Sequence, residues 1–390
     1  MNSRILIFFT TLTLIVSTTT IIFLWAKGYT INRETKKVEK VGMISVKSLP
    51  DGARIFLDGN LALATNTTLG NLKGGTYKLR LEKDGYSSWE KDVPVKEELV
   101  TFVDVVLIPR SVEIKPLTTS GVNYPVINSN KDKIYFIAKV NSDLDTPQKS
   151  GLWALDLNSS IFNIFKTAAS LIFPDTKTLA YSSADLLDLS PSDNQMLIKM
   201  NEKGYYLADL SGTDLPVATT TAVPTQNNWQ KQVLAKKKTL SDKYKLGVPL
   251  SEISTDPNTI WSPDEKKFVY KKKNEKGDSW QFYVRNLSDP LGVGEENEYL
   301  VATVSLDSKT EFGWYPDSKH LITSECDSAK QPCVSGSIHL VEIDGTNNTQ
   351  IYSGSMSLGS VFPTPDGSKI IILATFNQSA PPNLYAISLR

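Results

Sequence analysis

Residues 314–324 read WYPDSKHLITS, and residues 337–343 read SIHLVEI. The first segment is a Pro-Asp turn followed by an apolar strand, and the second alternates apolar and polar residues as a β-strand does. A turn before two such strands predicts an antiparallel pair. This pair decides the fold, because the same arrangement returns along most of the chain.

The second strand of the pair occurs five times, as GLWALDL (151–157), GYYLADL (204–210), QFYVRNL (281–287), SIHLVEI (337–343) and NLYAISL (383–389). A turn and an apolar strand precede each copy, in NSNKDKIYFIA (128–138), LSPSDNQMLIKM (189–200), WSPDEKKFVYK (261–271), WYPDSKHLITS (314–324) and PTPDGSKIIIL (363–373). Outer-strand candidates follow the first four copies, as IFNIFKT (161–167), LPVAT (215–219), EYLVAT (298–303) and TQIYSG (349–354). A period of roughly 50 residues with four strands per unit predicts a β-propeller over residues 111–390. FPDTKTLAYSS (173–183) reads as a further degenerate copy, so five to six blades are expected.

The turn itself carries a family resemblance. It is clean in three copies, at Pro263 and Asp264, Pro316 and Asp317, and Pro365 and Asp366. It is degraded in the two earlier copies, around residues 191–193 and 130–132. These turns resemble the repeat of TolB-like and dipeptidyl-peptidase-type propellers, which implies a binding platform at one face of a ring.

Residues 111–117 (SVEIKPL) form a short alternating strand that is left over before the first unit. The last unit ends on its third strand, so pairing this segment with residues 383–389 would supply the missing outer strand. An insertion with near-helical apolar spacing lies at 227–246, with Trp229, Val233, Leu240 and Tyr244 on one face. We expect a helix laid across the propeller, with its lysines facing solvent.

The N-terminal segment is long and apolar. Residues 5–25 hold 21 residues without a charge or proline, enough helix for a bilayer core of roughly 30 Å. We expect a transmembrane signal anchor over 1–27 and a polar spacer over 28–43, with a cleaved signal peptide as the alternative. The basic residues after the helix favour a cytoplasmic body, but large domains translocate regardless of charge and the cysteine pair suits an oxidising compartment. We therefore favour an extracytoplasmic body.

Residues 44–110 switch to period-two runs bounded by Gly and Pro, which predicts a small antiparallel sandwich. The segment resembles a PEGA domain: the turn reads Pro50, Asp51, Gly52, Ala53 and is followed by RIFLDG, and GGTYKLRLEKDGY appears at 74–86. Such domains are regarded as non-catalytic modules. The resemblance therefore implies binding or architecture rather than chemistry.

The remaining residues offer little for catalysis. Two His and two Cys in 390 residues leave few ligands for metal sites and few catalytic bases. Neither a nucleophile elbow nor a cofactor-binding fingerprint occurs in the sequence. No catalytic, metal or cofactor site is therefore predicted. We expect Cys326 and Cys333 to form a disulfide, the alternatives being metal ligation or free thiols. The acidic pairs Asp143 with Asp145 and Asp185 with Asp188 are read as solvated turn carboxylates.

The basic and acidic residues balance at 42 each, which excludes a whole-protein field for nucleic acid. Lysines concentrate at 236–238 and 266–276 without the interleaved aromatic platform that single-strand nucleic-acid binding requires, so a solvated surface is favoured over a polymer-binding patch. The sequence predicts a non-enzymatic, membrane-anchored scaffold of the cell envelope that binds a protein or a polymer. The alternative is a glycan- or peptide-acting envelope enzyme with its active site in the propeller channel, which would need converging carboxylates.

Overall fold

A computed structural model describes residues 3–26, 29–31, 38–140, 149–157, 169–212, 214–327, 332–377 and 380–390. The chain divides into two compact units. The first comprises residues 1–110 with 288–297, and the second comprises residues 111–287 with 298–390.

The first unit begins with helix α1 (Ser3–Ala26). Within it, Ile5–Phe23 has a mean hydropathy of 2.2, and its side chains are exposed. The Thr hydroxyls in its sequence donate to backbone carbonyls one turn earlier, as Thr13 Oγ1 does to Phe9 O at 2.8 Å. The helix thus satisfies these polar groups internally, as a lipid environment requires. By length and composition the helix is able to cross a membrane, and a signal sequence meets the same two criteria.

A β-sandwich follows the helix. Its strands are β1 (Tyr29–Ile31), β2 (Val38–Lys40), β3 (Gly42–Leu49), β4 (Arg54–Leu57), β5 (Asn60–Ala64), β6 (Thr67–Leu72), β7 (Gly75–Glu82), β8 (Trp89–Val95) and β9 (Val100–Val106). The strands β6-β3-β9 form one sheet, β5-β4-β7-β8 form the other, and β1 pairs with β2. Because alternate residues of each strand point inward, Ile44, Ile55 and Leu79 are completely buried between the sheets. The pair β3–β9 is parallel, a departure from the all-antiparallel prediction.

The second unit consists of five four-stranded antiparallel sheets in the described residues. The strands are β10 (Glu113–Pro116), β11 (Asn123–Ile127), β12 (Lys133–Ala138), β13 (Gly151–Asp156), β14 (Ala169–Pro174), β15 (Ala184–Leu189), β16 (Gln195–Met200), β17 (Gly204–Asp209), β18 (Val217–Thr219), β19 (Ile260–Trp261), β20 (Lys267–Lys273), β21 (Ser279–Asn286), β22 (Glu298–Ser305), β23 (Lys309–Trp314), β24 (His320–Cys326), β25 (Cys333–Glu342), β26 (Thr349–Met356), β27 (Val361–Pro363), β28 (Lys369–Ala374) and β29 (Asn383–Ser388). Blades 1 to 4 are β11–β14, β15–β18, β19–β22 and β23–β26, and blade 5 is β27–β29 with β10. These sheets confirm the propeller predicted from the repeat.

Blade 5 closes the ring with the first strand of the unit. The strand β10 pairs antiparallel with β29, and Ile114 lies opposite Ile387. One apolar cluster then joins blade 5 to blade 1, with Leu373 and Leu384 packed beside Phe136. Blade 5 thereby obtains its fourth strand from a segment that lies more than two hundred residues earlier in the chain.

Other blades contact each other through buried side chains. Blades 1 and 2 share an apolar cluster that includes Ile137 and Ile198. Blades 3 and 4 share one that includes Val269 and Leu321, and the Trp314 indole N–H donates to Ile260 O at 2.9 Å. Buried side chains thus join blade 5 to blade 1, blade 1 to blade 2 and blade 3 to blade 4, as packing between the blades of a propeller requires.

Two parts of the sequence prediction concern the first blade. Residues 173–183 are not a further repeat, because residues 173 and 174 complete the outer strand β14 and residues 181–183 form a short 3₁₀ turn. A strand had been expected at 161–167, which lies outside the described residues.

Helices α2 (Ala222–Lys243) and α3 (Leu250–Thr255) lie between blades 2 and 3 in the chain. The buried Trp229 of α2 packs on Leu197 of blade 2. At the other end, Tyr244 stacks on Trp261 of blade 3 with ring centroids 6.2 Å apart. The insertion therefore contacts both neighbouring blades, and it begins about five residues before the predicted 227–246.

Candidate functional site

The Pro-Asp turns share one hydrogen-bonded geometry in all five blades. The backbone N–H of the first turn residue donates to the carbonyl oxygen of the residue five positions later. The carbonyl oxygen of the same first residue accepts from the N–H of the residue three positions later. The first residues are Asn128, Ser190, Ser262, Tyr315 and Thr364. The fourth residue adopts the left-handed backbone conformation: Lys131, Asp193, Glu265, Ser318 and Gly367 have φ of 59°, 61°, 57°, 59° and 68°. The clean and degraded sequences therefore form the same turn.

The aspartates of the three clean turns accept hydrogen bonds within their own turns. Asp264 Oδ1 accepts from the Ser262 hydroxyl at 2.5 Å, and Asp366 Oδ1 from the Thr364 hydroxyl at 2.7 Å. Asp317 Oδ2 lies 2.6 Å from His320 Nδ1. Burial raises the pKa of each carboxyl, but these bonds outweigh it, so the pKa of all three lies below the usual value. The aspartates hold the turns together through these bonds.

Pro263, Pro316 and Pro365 precede these aspartates and occupy the second position of each turn, which their fixed φ favours. Adjacent turns are also linked across blades: Asp264 N–H donates to Ser318 Oγ at 3.0 Å, and the Tyr315 hydroxyl donates to Gly367 O at 2.6 Å. The turns thus contribute to the packing of one blade on the next.

The PEGA-like turn is also built from internal contacts. Gly52 N–H donates to Thr65 O, and Ala53 N–H donates to Thr65 Oγ1, at 3.0 and 2.9 Å. Pro50 O accepts from the Ser48 hydroxyl at 2.6 Å, while Asp51 is exposed. The Ala53 side chain is completely buried, so this turn anchors the strand β4 in the sandwich core.

Cys326 and Cys333 form a disulfide in blade 4, with an S–S distance of 2.05 Å. Cys326 ends the strand β24 and Cys333 begins β25. The bond therefore joins the two ends of the hairpin loop between these strands. Its oxidation in the cell remains a prediction.

Neither histidine stands beside a nucleophile among the described contacts. His320 is buried against Tyr315 and Asp317, and His339 Nδ1 lies 2.9 Å from Asn348 Oδ1. In the described ranges, moreover, no group of three His, Cys, Asp or Glu side chains is placed to hold a metal. Asp143 and Asp145 lie outside those ranges.

A cleft of about 680 Å³ lies between α2 and the inner strand β15, and we call it the α2 cleft. Its volume falls in the range of ligand pockets, roughly 300–1,000 Å³. Its walls are mainly apolar with several amide side chains: Asp188, Leu189, Pro191, Gln226, Asn227, Trp229, Gln230, Lys231, Val233, Leu234, Lys237, Thr255 and Pro257. Val233 and Leu234 are 43% and 50% exposed, which leaves their apolar surface available to a partner.

Two charged groups of the cleft are already engaged. Asp188 Oδ2 accepts from Gln226 Nε2 at 2.8 Å. The Lys237 ammonium donates to the carbonyls of Asp256, Pro257 and Thr259 at 2.7 to 3.1 Å. Burial lowers the pKa of Lys237 below its usual value.

These contacts correct two predictions. Lys237 does not face solvent with its neighbours; its ammonium bonds the carbonyls of the segment that follows α3. Asp185 and Asp188 are not solvated turn residues but lie on the strand β15, where Lys199 lies 3.7 Å from Asp185. Sequence reasoning missed the cleft, because its walls come from three separate elements.

Blade 3 carries a further surface where exposed lysines lie beside aromatic rings. The ammonium groups of Lys271 and Lys273 lie 5.0 and 5.6 Å from the ring centre of Trp280. Lys272 lies 4.1 Å from the ring centre of Tyr283. Because Lys273 pairs with Trp280 across β20 and β21, the antiparallel register brings these residues together. The period-two spacing of the sequence shows which lysines share a face of β20, but it does not show which residues of the neighbouring strand lie opposite them.

Together these features define a class: a chain with one apolar N-terminal helix, a small sandwich and a five-bladed propeller with a cleft on its inserted helix. Residues 41–111 match the sequence model of the PEGA domain family, and this segment is a PEGA domain. No curated protein sequence matches the chain.

Solved structures of low similarity include propeller proteins. A TolB from Agrobacterium tumefaciens is 14% identical to this protein, with a TM-score of 0.24. The match covers 68% of this chain and 79% of the TolB chain. An oligogalacturonate lyase from Vibrio parahaemolyticus is 11% identical with a TM-score of 0.26, covering 93% and 96%. A chain of a mitotic checkpoint complex is 8% identical with a TM-score of 0.33, covering 72% and 95%. Scores this low carry no argument about function.

Proposed function

We propose that this protein is a non-enzymatic, membrane-anchored binding protein of the cell envelope. Its propeller holds an extended segment of a partner protein in the α2 cleft. The observation that carries the proposal is the lining of that cleft, which combines exposed apolar side chains with a row of amides.

The lining suits a peptide. Gln226 and Gln230 are one helical turn apart and both line the cleft, and each amide is able to donate and to accept hydrogen bonds as a peptide backbone does. Leu189 of blade 2 and Val233 and Leu234 of α2 offer apolar contact for side chains of the partner. The exposed Lys231 on the rim favours a segment with acidic residues.

The engaged charges support a non-catalytic role. A general acid or base needs a titratable group that is free to exchange a proton with the substrate. Asp188 is bonded by Gln226, and Lys237 by three carbonyls, so both charged groups already serve the structure. The PEGA domain and the apolar helix support placement at a membrane, with the body on the extracytoplasmic side.

The test places a photo-crosslinking amino acid at Leu234 of the full-length protein in intact cells. Val223 is the matched control, because it lies on the same helix, is 62% exposed and does not line the cleft. We expect an adduct with a protein segment at Leu234 but not at Val223. A synthetic peptide of the mapped segment should then bind the purified protein and lose affinity with Leu234→Asp.

Equal crosslinking at both positions, or a mapped peptide that binds Leu234→Asp as well as the wild type, contradicts the peptide site. The enzymatic alternative is checked with the same purified protein. Turnover of envelope glycans or peptides that disappears after one carboxylate substitution would refute the non-catalytic role.

A further inference from the structure

The inner strand of blade 3 is too short to cover its neighbour. The strand β19 pairs only with residues 268 and 269 of β20, so residues 270–273 extend beyond it. Two cavities of about 380 and 390 Å³ lie at this uncovered end, and both are lined by Asn258, Tyr270 and Lys271. We call the two cavities together the blade 3 trough.

Aromatic rings in fixed positions line the trough. Trp280 is half-buried with two lysine ammonium groups near its ring. Phe312 stacks on Phe282 with ring centroids 3.9 Å apart. Tyr270 stacks on Tyr283, and its hydroxyl donates to Glu298 at 2.7 Å. The packed rings provide rigid apolar surface at both ends of the trough.

Polar groups of both kinds lie between the rings. Lys271 and Lys272 are exposed donors. The acceptors Glu252 and Asp256 lie on the α3 side, and Glu311 lies on the blade 4 side. Asn258, shared by both cavities, donates its backbone N–H and its Nδ2 to Asp256 Oδ1 at 2.7 and 3.1 Å, and its amide oxygen is a further acceptor.

We propose that the blade 3 trough binds an uncharged oligosaccharide chain. Each sugar hydroxyl both donates and accepts, which matches a lining that holds ammonium, amide and carboxylate groups. The apolar face of a sugar ring packs on an aromatic ring. The three carboxylates disfavour a polyanion, whose charges they would repel. The two cavities share Asn258, Tyr270 and Lys271, so neighbouring sugar rings of one chain would contact a common set of side chains. This site is separate from the α2 cleft and goes beyond the peptide recognition proposed there.

The probes are a β-1,4-linked glucose hexamer and a β-1,4-linked N-acetylglucosamine hexamer. Binding to the full-length protein in detergent micelles is measured by calorimetry. We expect at least one hexamer to bind, with affinity reduced about tenfold by Trp280→Ala, because the ring stacking is lost. Trp280→Phe retains a ring and should recover part of that loss. Phe376→Ala removes an exposed ring outside the trough and should change nothing.

Circular dichroism and the unfolding midpoint establish that each variant is folded. Failure of both hexamers to bind at millimolar concentration would overturn the proposal, as would binding that Trp280→Ala leaves unchanged. Tighter binding of polygalacturonate, lost with Lys271→Ala, would assign the trough to a polyanion instead. Leu234→Asp should leave hexamer binding intact, so failure at the α2 cleft and failure at the trough are distinguishable.

Discussion

At the scale of single residues, the blade turns depend on one backbone conformation. The fourth residue is left-handed in every blade, yet only Gly367 is a glycine among the five. A left-handed residue with a Cβ costs roughly 1–2 kcal/mol. The chain tolerates this at Lys131, Asp193, Glu265 and Ser318 because the repeated turn bonds fix the backbone on both sides.

Gly367→Ala tests this conformation together with the packing of blade 4 on blade 5. A Cβ at Gly367 would lie against the hydroxyl of Tyr315. Gly277→Ala is the matched control, because Gly277 has φ of 72° and open space around it. We expect the control to lose about 1 kcal/mol of unfolding free energy and Gly367→Ala about 2–4 kcal/mol. Chemical denaturation of the full-length protein measures both, and equal losses would show that the contact with Tyr315 costs nothing.

At the scale of elements, the insertion between blades 2 and 3 is held by aromatic rings and one lysine. The rings of Tyr244, Trp261, Phe268, Tyr270 and Tyr283 follow one another at centroid distances of 6.2, 5.2, 5.9 and 5.7 Å. They connect the end of α2 to the strands β19, β20 and β21. Pairs of this kind add roughly 0.5–1.5 kcal/mol each beyond burial, so the wall of the α2 cleft has a fixed position.

Lys237→Ala is predicted to loosen that wall. The substitution leaves three carbonyls without their shared cationic donor, and bonds to a charged group contribute about 1.5–3 kcal/mol. Lys238→Ala removes the adjacent exposed lysine and should change the unfolding free energy by less than about 0.5 kcal/mol. Hydrogen exchange of residues 250–259 should accelerate only in Lys237→Ala. Indistinguishable exchange in the two variants would contradict this role for Lys237.

At the scale of the whole molecule, two features matter: the strand pair that closes the propeller in blade 5, and the disulfide in blade 4, which bears on the cellular compartment. The pairing of β10 with β29 covers the edge of β29, so the first strand of the propeller and its last strand lie in one sheet. The disulfide of Cys326 and Cys333 closes the loop between β24 and β25 in blade 4. Such bonds persist in oxidising compartments. Under the membrane anchoring proposed above, the oxidation state of this pair would therefore report the side of the membrane on which the propeller lies.

The cysteines are predicted to be oxidised in cells. When cells are treated with an alkylating reagent, the protein should carry no labelled thiol unless it is first reduced. In a second experiment, protease added to cells with a permeable outer layer should cleave the propeller. The double variant Cys326→Ala with Cys333→Ala should lose about 2–3 kcal/mol of unfolding free energy, as for closure of a short loop. Thiols that label without reduction, together with protection from protease, would place the propeller in the cytoplasm.

The sequence by itself determined most strands of the blades, the turns, the PEGA domain and the closing strand, but it missed the outer strand β14 of blade 1. These features depend on residues close together in the chain or on a repeat, as in the turn from Thr364 to Lys369. Only the tertiary structure decided the position of Lys237, the α2 cleft and the meeting of Lys271 with Trp280. The physical reason is that these contacts join elements whose separation in space is set by blade packing and strand register. Period-two patterns record which face of a strand is buried but not which strand or helix covers it.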